Sequence, residues 1–538
     1  MPTSYILRSG LVEVAIIGSG VAGALVAWKL AQAGMKVTIL EAGGAVQRDR
    51  AVQRYRKSPR KTLDAPFPQA AHAPSPLLND LESHLRQLGP ELFMGVYLRQ
   101  VGGTTWHWLG TATRLLPEDF QMWTLHKRAV DWPLSYADLE PWYTEAERQL
   151  GVSGESTPDI TYPMPAIEQA TVDRFFGSAA RELGLQVHPL PQARNSRTYQ
   201  GRPRCCGSAS CIPICPIGAK YDAGVHLKLA RQAGAELRKN HVVASLVTSR
   251  SGRIKRAEYL LPDGTGGELT ADLFVLATHS VETPRILLNS HCERYPEGLA
   301  NSSDQVGRNL MGGHAMLSWG LAPKPVFPYR APQATSGIFD FRGGTQRRDR
   351  SGFLTSIATD GWPSSFQLSD LVNQLLSQGL KGSSLRETLA DHVSRQVALV
   401  STCEQLPDPR NRIAVSPDWP DPLGIPRPTV RYHRVDDYTR VGMIEAKSLH
   451  TELFARLGVT EEQHSPSTDP AYILGTTRMG AEPENSVVNS DLRCHDHGNL
   501  FVVGGSVFPT TGSGPPTLTV AALALRAANH ITHLAASL

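Results

Sequence analysis

The stretch VEVAIIGSGVAGALVAWKLAQAGMKVTILEAGG, residues 12 to 44, constrains the fold of this chain more than any other. Val12 to Ile17 reads as a buried strand, Gly18-x-Gly20-x-x-Gly23 as a tight turn, about Ala22 to Ala33 as a helix, and Val37 to Leu40 as a second strand closed by Glu41. Such a βαβ unit commits its neighbourhood to a parallel sheet with covering helices. Its chemistry is equally specific. A pyrophosphate can approach backbone N–H groups at a helix N-terminus only past residues without a side chain, and an acid ending the second strand meets ribose hydroxyls. Gly18, Gly20, Gly23 and Glu41 are therefore candidate dinucleotide contacts; the bland alternative is a tight turn in a domain that binds nothing.

At 538 residues the chain is too long for one ordinary core, so two or more units sharing an interface are expected. A formal charge of +4 with no sustained Lys/Arg run gives no argument for a nucleic-acid partner. No apolar stretch of signal-peptide length precedes Glu13, and the run from Val14 to Trp28 is too short and too glycine-rich to span a bilayer, so no membrane segment is expected.

NAD and FAD share the first fingerprint, and two further segments bear on the choice. QVGGTTWHW, residues 100 to 108, describes a flat backbone beside aromatic surfaces, although an aromatic run is more often core than cofactor contact. From Asn499 the chain reads as a buried strand (Leu500 to Val503), a Gly504-Gly505-Ser506 turn, a Pro/Gly/Ser loop and an apolar helix from about Pro516.

Four of the seven cysteines crowd into RCCGSASCIPICPIGAKY, residues 204 to 221. Seven is odd and the set is clustered, unlike a disulfide framework. Cys205, Cys206, Cys211 and Cys215 are spaced Cys-Cys-x4-Cys-x3-Cys-Pro with small residues between, which suits an iron–sulfur core. Zinc sites favour two short pairs separated by a longer gap, and a disulfide is the remaining alternative. Cys292, Cys403 and Cys494 read as ordinary buried thiols.

These motifs, with VETPRILL (281 to 288), VGRNLM (306 to 311), GTTRMG (475 to 480) and NLFVVGGSVFPT followed by PTLT, resemble in content and order the glucose-methanol-choline (GMC) flavoprotein oxidoreductases, from about residue 12 to 533. The cysteine run resembles the bacterial branch that holds the catalytic subunits of FAD-dependent glucose and gluconate dehydrogenases. The resemblance implies FAD, with its pyrophosphate at Gly18, Gly20 and Gly23, its ribose on Glu41 and its adenine near Val243. It places the isoalloxazine against Gly102, Gly103, Thr104, His107 and Trp108, closed on the other side by Gly505, Ser506 and Thr517. Some relatives attach FAD covalently through a His in the position of His107; a His between two Trp also reads as a packing residue. Relatives of the branch carry a three-iron, four-sulfur centre, for which Cys205, Cys211 and Cys215 would be the ligands and Cys206 an extra thiol.

The chain departs from the family at two places. The position usually held by the proton-accepting His is Tyr472, and the usual second His or Asn is Pro515. An unperturbed Tyr is mostly protonated at neutral pH, so Tyr472 serves as a base only if cations lower its pKa, with Arg478 near in sequence. His279, His314, His495 and His497 are candidates for a relocated base, though each reads more readily as a packing or surface histidine.

The expected class is α/β: a discontinuous Rossmann-like FAD domain plus a sheet-based substrate domain. The first part of the FAD domain is residues 1–312, with loop-rich excursions at 46–94 and 116–239; the substrate domain is 313–470, including a helical stretch at about 365 to 396; residues 471–538 return to the FAD domain. The expected function is a dehydrogenase subunit that oxidises an alcohol of a sugar or polyol by hydride transfer to flavin and passes single electrons through the cluster to a cytochrome or other carrier. The alternatives are a subunit of this fold that has lost alcohol oxidation, or a flavoenzyme of altered chemistry. The resemblance also implies a small companion subunit, folding in the cytoplasm and export to the periplasm with that companion.

Overall fold

The computed structural model describes residues 12–59, 61–77, 81–359, 368–467 and 472–536. The N-terminal stretch forms strand Glu13–Ile17, helix Val21–Gln32 and strand Lys36–Glu41. These strands lie in a five-stranded parallel sheet ordered Leu500–Val502, Leu273–Leu276, Glu13–Ile17, Lys36–Glu41, Glu236–Lys239. Ile17 pairs with both Leu276 and Leu40, and Leu276 with Val502, so the strands end level along one edge. Every side chain of the central strand after Glu13 is buried, as expected where helices cover both faces. Helix Val21–Gln32 packs between helix Gly224–Gln232 and the C-terminal helix Thr517–Ala536.

A second sheet of six antiparallel strands runs in the order Thr460–Ser467, His314–Leu321, Gln396–Cys403, Phe353–Ala358, Ser336–Ile338, His188–Pro189. Helix Asp437–Leu457 covers it through Met443, Ala446, Leu449 and Leu453, the spacing of a single helical face. Most of this sheet comes from 313–470, but strand His188–Pro189 and helix Thr171–Glu182 join it from the earlier excursion.

The excursion at 116–239 is more ordered than its Pro and charge content suggests. Helix Tyr136–Leu150 buries Leu139, Tyr143, Ala146 and Leu150 on one stripe, and its charged residues mostly face solvent. The expected helical stretch near 365 to 396 is two helices, Leu368–Ser377 and Gly382–Arg395, with residues 365–367 outside those described. Among the described residues no helix is long and apolar enough to cross a membrane.

Candidate active site

A cavity opens where the parallel strands end, at the position where open α/β sheets bind ligands. Gly18, Ser19, Gly20, Glu41 and Val243 form one part of its wall. Gly103, Thr104, Thr105 and Trp108 form another, and Tyr472, Gly505 and Thr517 close it from the C-terminal segment.

The glycines have distinct jobs. Gly18 adopts φ +97°, and a Cβ there would stand 2.5 Å from the Ala277 carbonyl oxygen; a Cβ on Gly23 would stand 2.1 Å from that of Gly18. Both serve strand–helix packing. Gly20 caps the helix without a side-chain partner for its free N–H groups, and nothing lies within 4 Å of a Cβ built on it. The first amides of this helix therefore face open space, with the positive end of the helix dipole behind them.

Glu41 Oε2 accepts from the Ser19 amide at 3.0 Å and from the Ser19 hydroxyl at 2.6 Å, while Oε1 accepts from the Gly43 amide at 3.1 Å. Oε1 keeps acceptor capacity toward the cavity for a ribose hydroxyl. The Gly102 amide donates to Ser19 Oγ at 3.2 Å, which ties the 102–108 loop to the glycine turn.

Within that loop, His107 is buried and is not among the residues of the cavity wall. Burial, with Lys220 and His279 nearby, lowers its pKa to about 3, and its Nδ1 has no partner. Its neighbours Thr105 and Trp108 line the cavity, and the cavity residue His279 is close enough to act on it. Ser506 Oγ is also buried without a partner beside the cavity residue Gly505. Open space at Gly20, spare capacity on Glu41 and an unspent Ser506 hydroxyl are what a dinucleotide with a flat ring would use.

Tyr472 lines the cavity with its ring packed on Gly313, where a Cβ would stand 2.4 Å from Cζ. Burial pushes its phenol well up, and Glu404, Cys403 and Asp119 push the same way against Arg342. Arg478 is not among these influences; its Nε donates to the Asn485 carbonyl. A general base needs the opposite shift, so the surroundings keep Tyr472 a neutral donor. Of the four alternative histidines only His279 reaches the cavity. It has φ +81°, stacks on Tyr97 with centroids 4.2 Å apart, and is lowered to about 4 by burial. His314 bonds the Tyr432 hydroxyl, His497 the Gly252 carbonyl and His495 the Ser486 hydroxyl.

The sequence reading missed the ionic cluster behind His279. Glu282 accepts from Tyr97 Oη at 2.6 Å and Arg285 Nη1 at 2.9 Å, and lies 2.6 Å from His84 Nε2. Burial alone would raise its pKa, but Arg99, His84 and Arg285 hold it well below the carboxylate range. Glu282 and Arg285 stand three apart in VETPRILL, the one local signal; His84, Tyr97 and Arg99 come from far along the chain.

The cysteine loop lies directly behind the 102–108 loop. Lys220 Nζ is fully enclosed and donates to the carbonyls of Trp106 at 3.0 Å and Cys211 at 2.7 Å, and to that of Trp108. Cys211 and Cys215 are buried, Cys205 half-buried and Cys206 exposed. Burial tends to raise Cys215, but the Lys220 and Ile217 amides and the charges of Lys220 and Arg48 bring its pKa below the usual value. Burial raises Cys205 despite the Gly207 amide 3.5 Å from its sulfur, and Cys205 also senses Cys211 and Cys215. Arg194 and Arg202 are buried beside the loop, and Arg194 Nε and Nη1 have no partner. Among the described residues no three His, Cys, Asp or Glu side chains converge on a point where one metal ion would sit. Of the remaining cysteines, Cys403 and Cys494 are buried, whereas Cys292 is exposed, in a short turn closed on Tyr295.

An open helix N-terminus, an acid on the next strand and a loop laid along the cavity define a dinucleotide-binding protein. Residues 36–314 and 407–524 both match the GMC oxidoreductase pattern, and the chain belongs to that family. It is 37% identical over 536 residues to the fructose dehydrogenase large subunit of Gluconobacter japonicus, across 96% of this chain and 97% of that one. It is 29% identical to 2-methyl-1,2-propanediol dehydrogenase of Mycolicibacterium austroafricanum, covering 97% and 95% of the two chains. Its fold matches the crystal structure of pyridoxine 4-oxidase with a TM-score of 0.64 at 17% identity, over 97% of this chain and 99% of that one. The protein is an FAD-dependent oxidoreductase acting on CH–OH donors.

Proposed function

We propose that this chain oxidises a secondary alcohol of a sugar or related polyol and releases the electrons singly, through an iron–sulfur centre on Cys205, Cys211 and Cys215, to a partner carrier. FAD held by Gly18, Gly20, Glu41, Val243, Thr104, Trp108, Gly505 and Thr517 would supply the two-electron acceptor. Tyr472 stays protonated and donates a hydrogen bond to the substrate oxygen, while the hydroxyl proton leaves to solvent rather than to Tyr472. The name of the Gluconobacter relative supports both a sugar substrate and a companion subunit; export with that companion rests on the family resemblance.

The observation that carries the electron-transfer half is the charge around the cysteine loop. Lys220, Arg194 and Arg202 are buried there, and none forms an ion pair within the described residues. Asp222 is the carboxylate that acts on Lys220 and Arg202, but it pairs with Arg48, so positive charge is in excess around the loop. Such an excess is costly when buried, and Arg194 leaves two donors unspent. A core ligated by three thiolates is anionic and would supply both the charge and the acceptors. Ligands spread over several irons need not converge on one point. Cys206, exposed, is left as the extra thiol.

A second reading, a subunit that hands on electrons without oxidising an alcohol, is favoured by Tyr472 and Pro515 standing where the family uses His and His or Asn. Anaerobic mixing of purified protein with a panel of sugars, polyols and other alcohols separates the two. Bleaching of flavin absorbance by a sugar or polyol is the expected result; bleaching by dithionite alone would favour the second reading. Iron and acid-labile sulfide in anaerobically prepared protein test the cluster, and finding neither would end that part of the proposal.

A further inference from the structure

Helix Arg48–Lys57 begins at the cysteine loop and runs along the surface. Arg48 Nη1 donates to the Cys215 carbonyl at 2.6 Å, and its guanidinium pairs with Asp222 and lies 4.8 Å from the Trp106 ring centroid. Ala51 and the flanking Val52 and Tyr55 pack with Trp106 and Ile214, so the helix is fastened to both the cavity loop and the cysteine loop. Its outer face carries Arg50, Gln53, Arg54 and Lys57, spaced 3, 4 and 7 from Arg50, around a shallow surface depression.

All four are exposed, and Asp49 is the one carboxylate on the helix. No ion pair within the described residues involves Arg50, Arg54, Arg56 or Lys57; Arg54 donates to the Pro66 carbonyl. Beside the helix start, Ile217 is exposed and Gly218 rests against Arg48. A local positive stripe without ion pairs costs self-repulsion and needs a use. Its large apolar residues point inward, which disfavours insertion into a lipid surface.

We propose that this stripe, with Ile217 at its edge, is where an acidic one-electron carrier protein docks to collect electrons leaving through the cysteine loop. The inference rests on the electron-transfer reading above and adds the exit face and the charge of the partner. Oxidation of one CH–OH to C=O yields two electrons and two protons. The protons pass to solvent, and each of two carriers takes one electron in successive encounters. A charged face suits this task because it raises the encounter rate without a tight complex that would delay exchange.

The test uses the whole protein, reduced photochemically and mixed with excess acidic cytochrome b5 or basic cytochrome c. Wild type is expected to reduce cytochrome b5 at a rate that falls steeply with added salt. The Arg50→Glu/Arg54→Glu/Lys57→Glu variant is expected to lose about tenfold or more of that rate at low salt, and most of its salt dependence, and to gain rate with cytochrome c. Arg50→Glu/Lys57→Glu, which leaves the Arg54 contact in place, should show a smaller change in the same direction. Equal rates in wild type and both variants would overturn the proposal. So would unchanged carrier rates alongside lost binding to phosphatidylglycerol vesicles, which would make the stripe a membrane surface. Iron and sulfide analysis keeps the two ideas apart. A charge effect without a cluster leaves the docking face standing and removes the cluster, and a cluster without a charge effect does the reverse.

Discussion

The family resemblance expects a proton acceptor where Tyr472 stands, but its surroundings keep its own proton on, because burial and Glu404 both oppose a phenolate. A neutral donor at that point would stabilise charge developing on the substrate oxygen. Tyr472→Phe is expected to slow flavin reduction by a good substrate about 100-fold, on the scale of removing one preorganised donor, equally at pH 6 and pH 9. An unchanged rate would remove Tyr472 from the chemistry. The cysteines divide in the same way by environment. Cys211→Ser should lose iron and sulfide together, whereas Cys206→Ser, at an exposed position, should keep both and the same electron paramagnetic resonance signal. Loss in both variants would mean that the ligand set is wrong.

At the scale of elements, the glycine turn separates binding from folding. A side chain at Gly23 meets the Gly18 carbonyl, whereas one at Gly20 meets open cavity. Gly20→Val is therefore expected to fold with a near-normal melting temperature but to purify with little flavin, and Gly23→Val to be poorly soluble. A flavin-to-protein ratio near wild type in Gly20→Val would show that the pyrophosphate does not approach this turn. The turn, its helix and Glu41 were legible in sequence because the features that mark them are local: a steric need for glycine, a near-continuous apolar helix and an acid at a strand end. The 102–108 loop was legible as a motif, but its second duty, carrying carbonyls for Lys220, was not. A lysine in a loop reads as solvated until the chain that covers it is in place.

For the whole molecule, burial of histidine is a common feature. His84, His279 and His314 are lowered to about 4, and His107, His226 and His450 to about 3, with burial the leading cause in each. In the unfolded chain they protonate near 6.5. A lowered folded pKa favours the native state fully above about 6.5 and progressively less as pH falls toward the folded values. Glu282, also lowered, acts in the same direction below about 4.3. The melting temperature should therefore be level from pH 8 to 7 and fall from pH 6.5 to 5, before most carboxylates titrate; a flat profile to pH 5 would contradict the neutral burial of these rings.

By itself the sequence determined the parallel βαβ start, the family and the crowding of thiols in one loop, since each is written in residues close along the chain. Only the tertiary structure decided what surrounds them. It buried Lys220, Arg194 and Arg202 about the cysteines, drew His188–Pro189 into a sheet built mainly from residues more than a hundred positions later, and turned the field at Tyr472 against a phenolate. The physical reason is that desolvation and Coulomb energy depend on neighbours in space, and those neighbours come from segments that no local pattern connects.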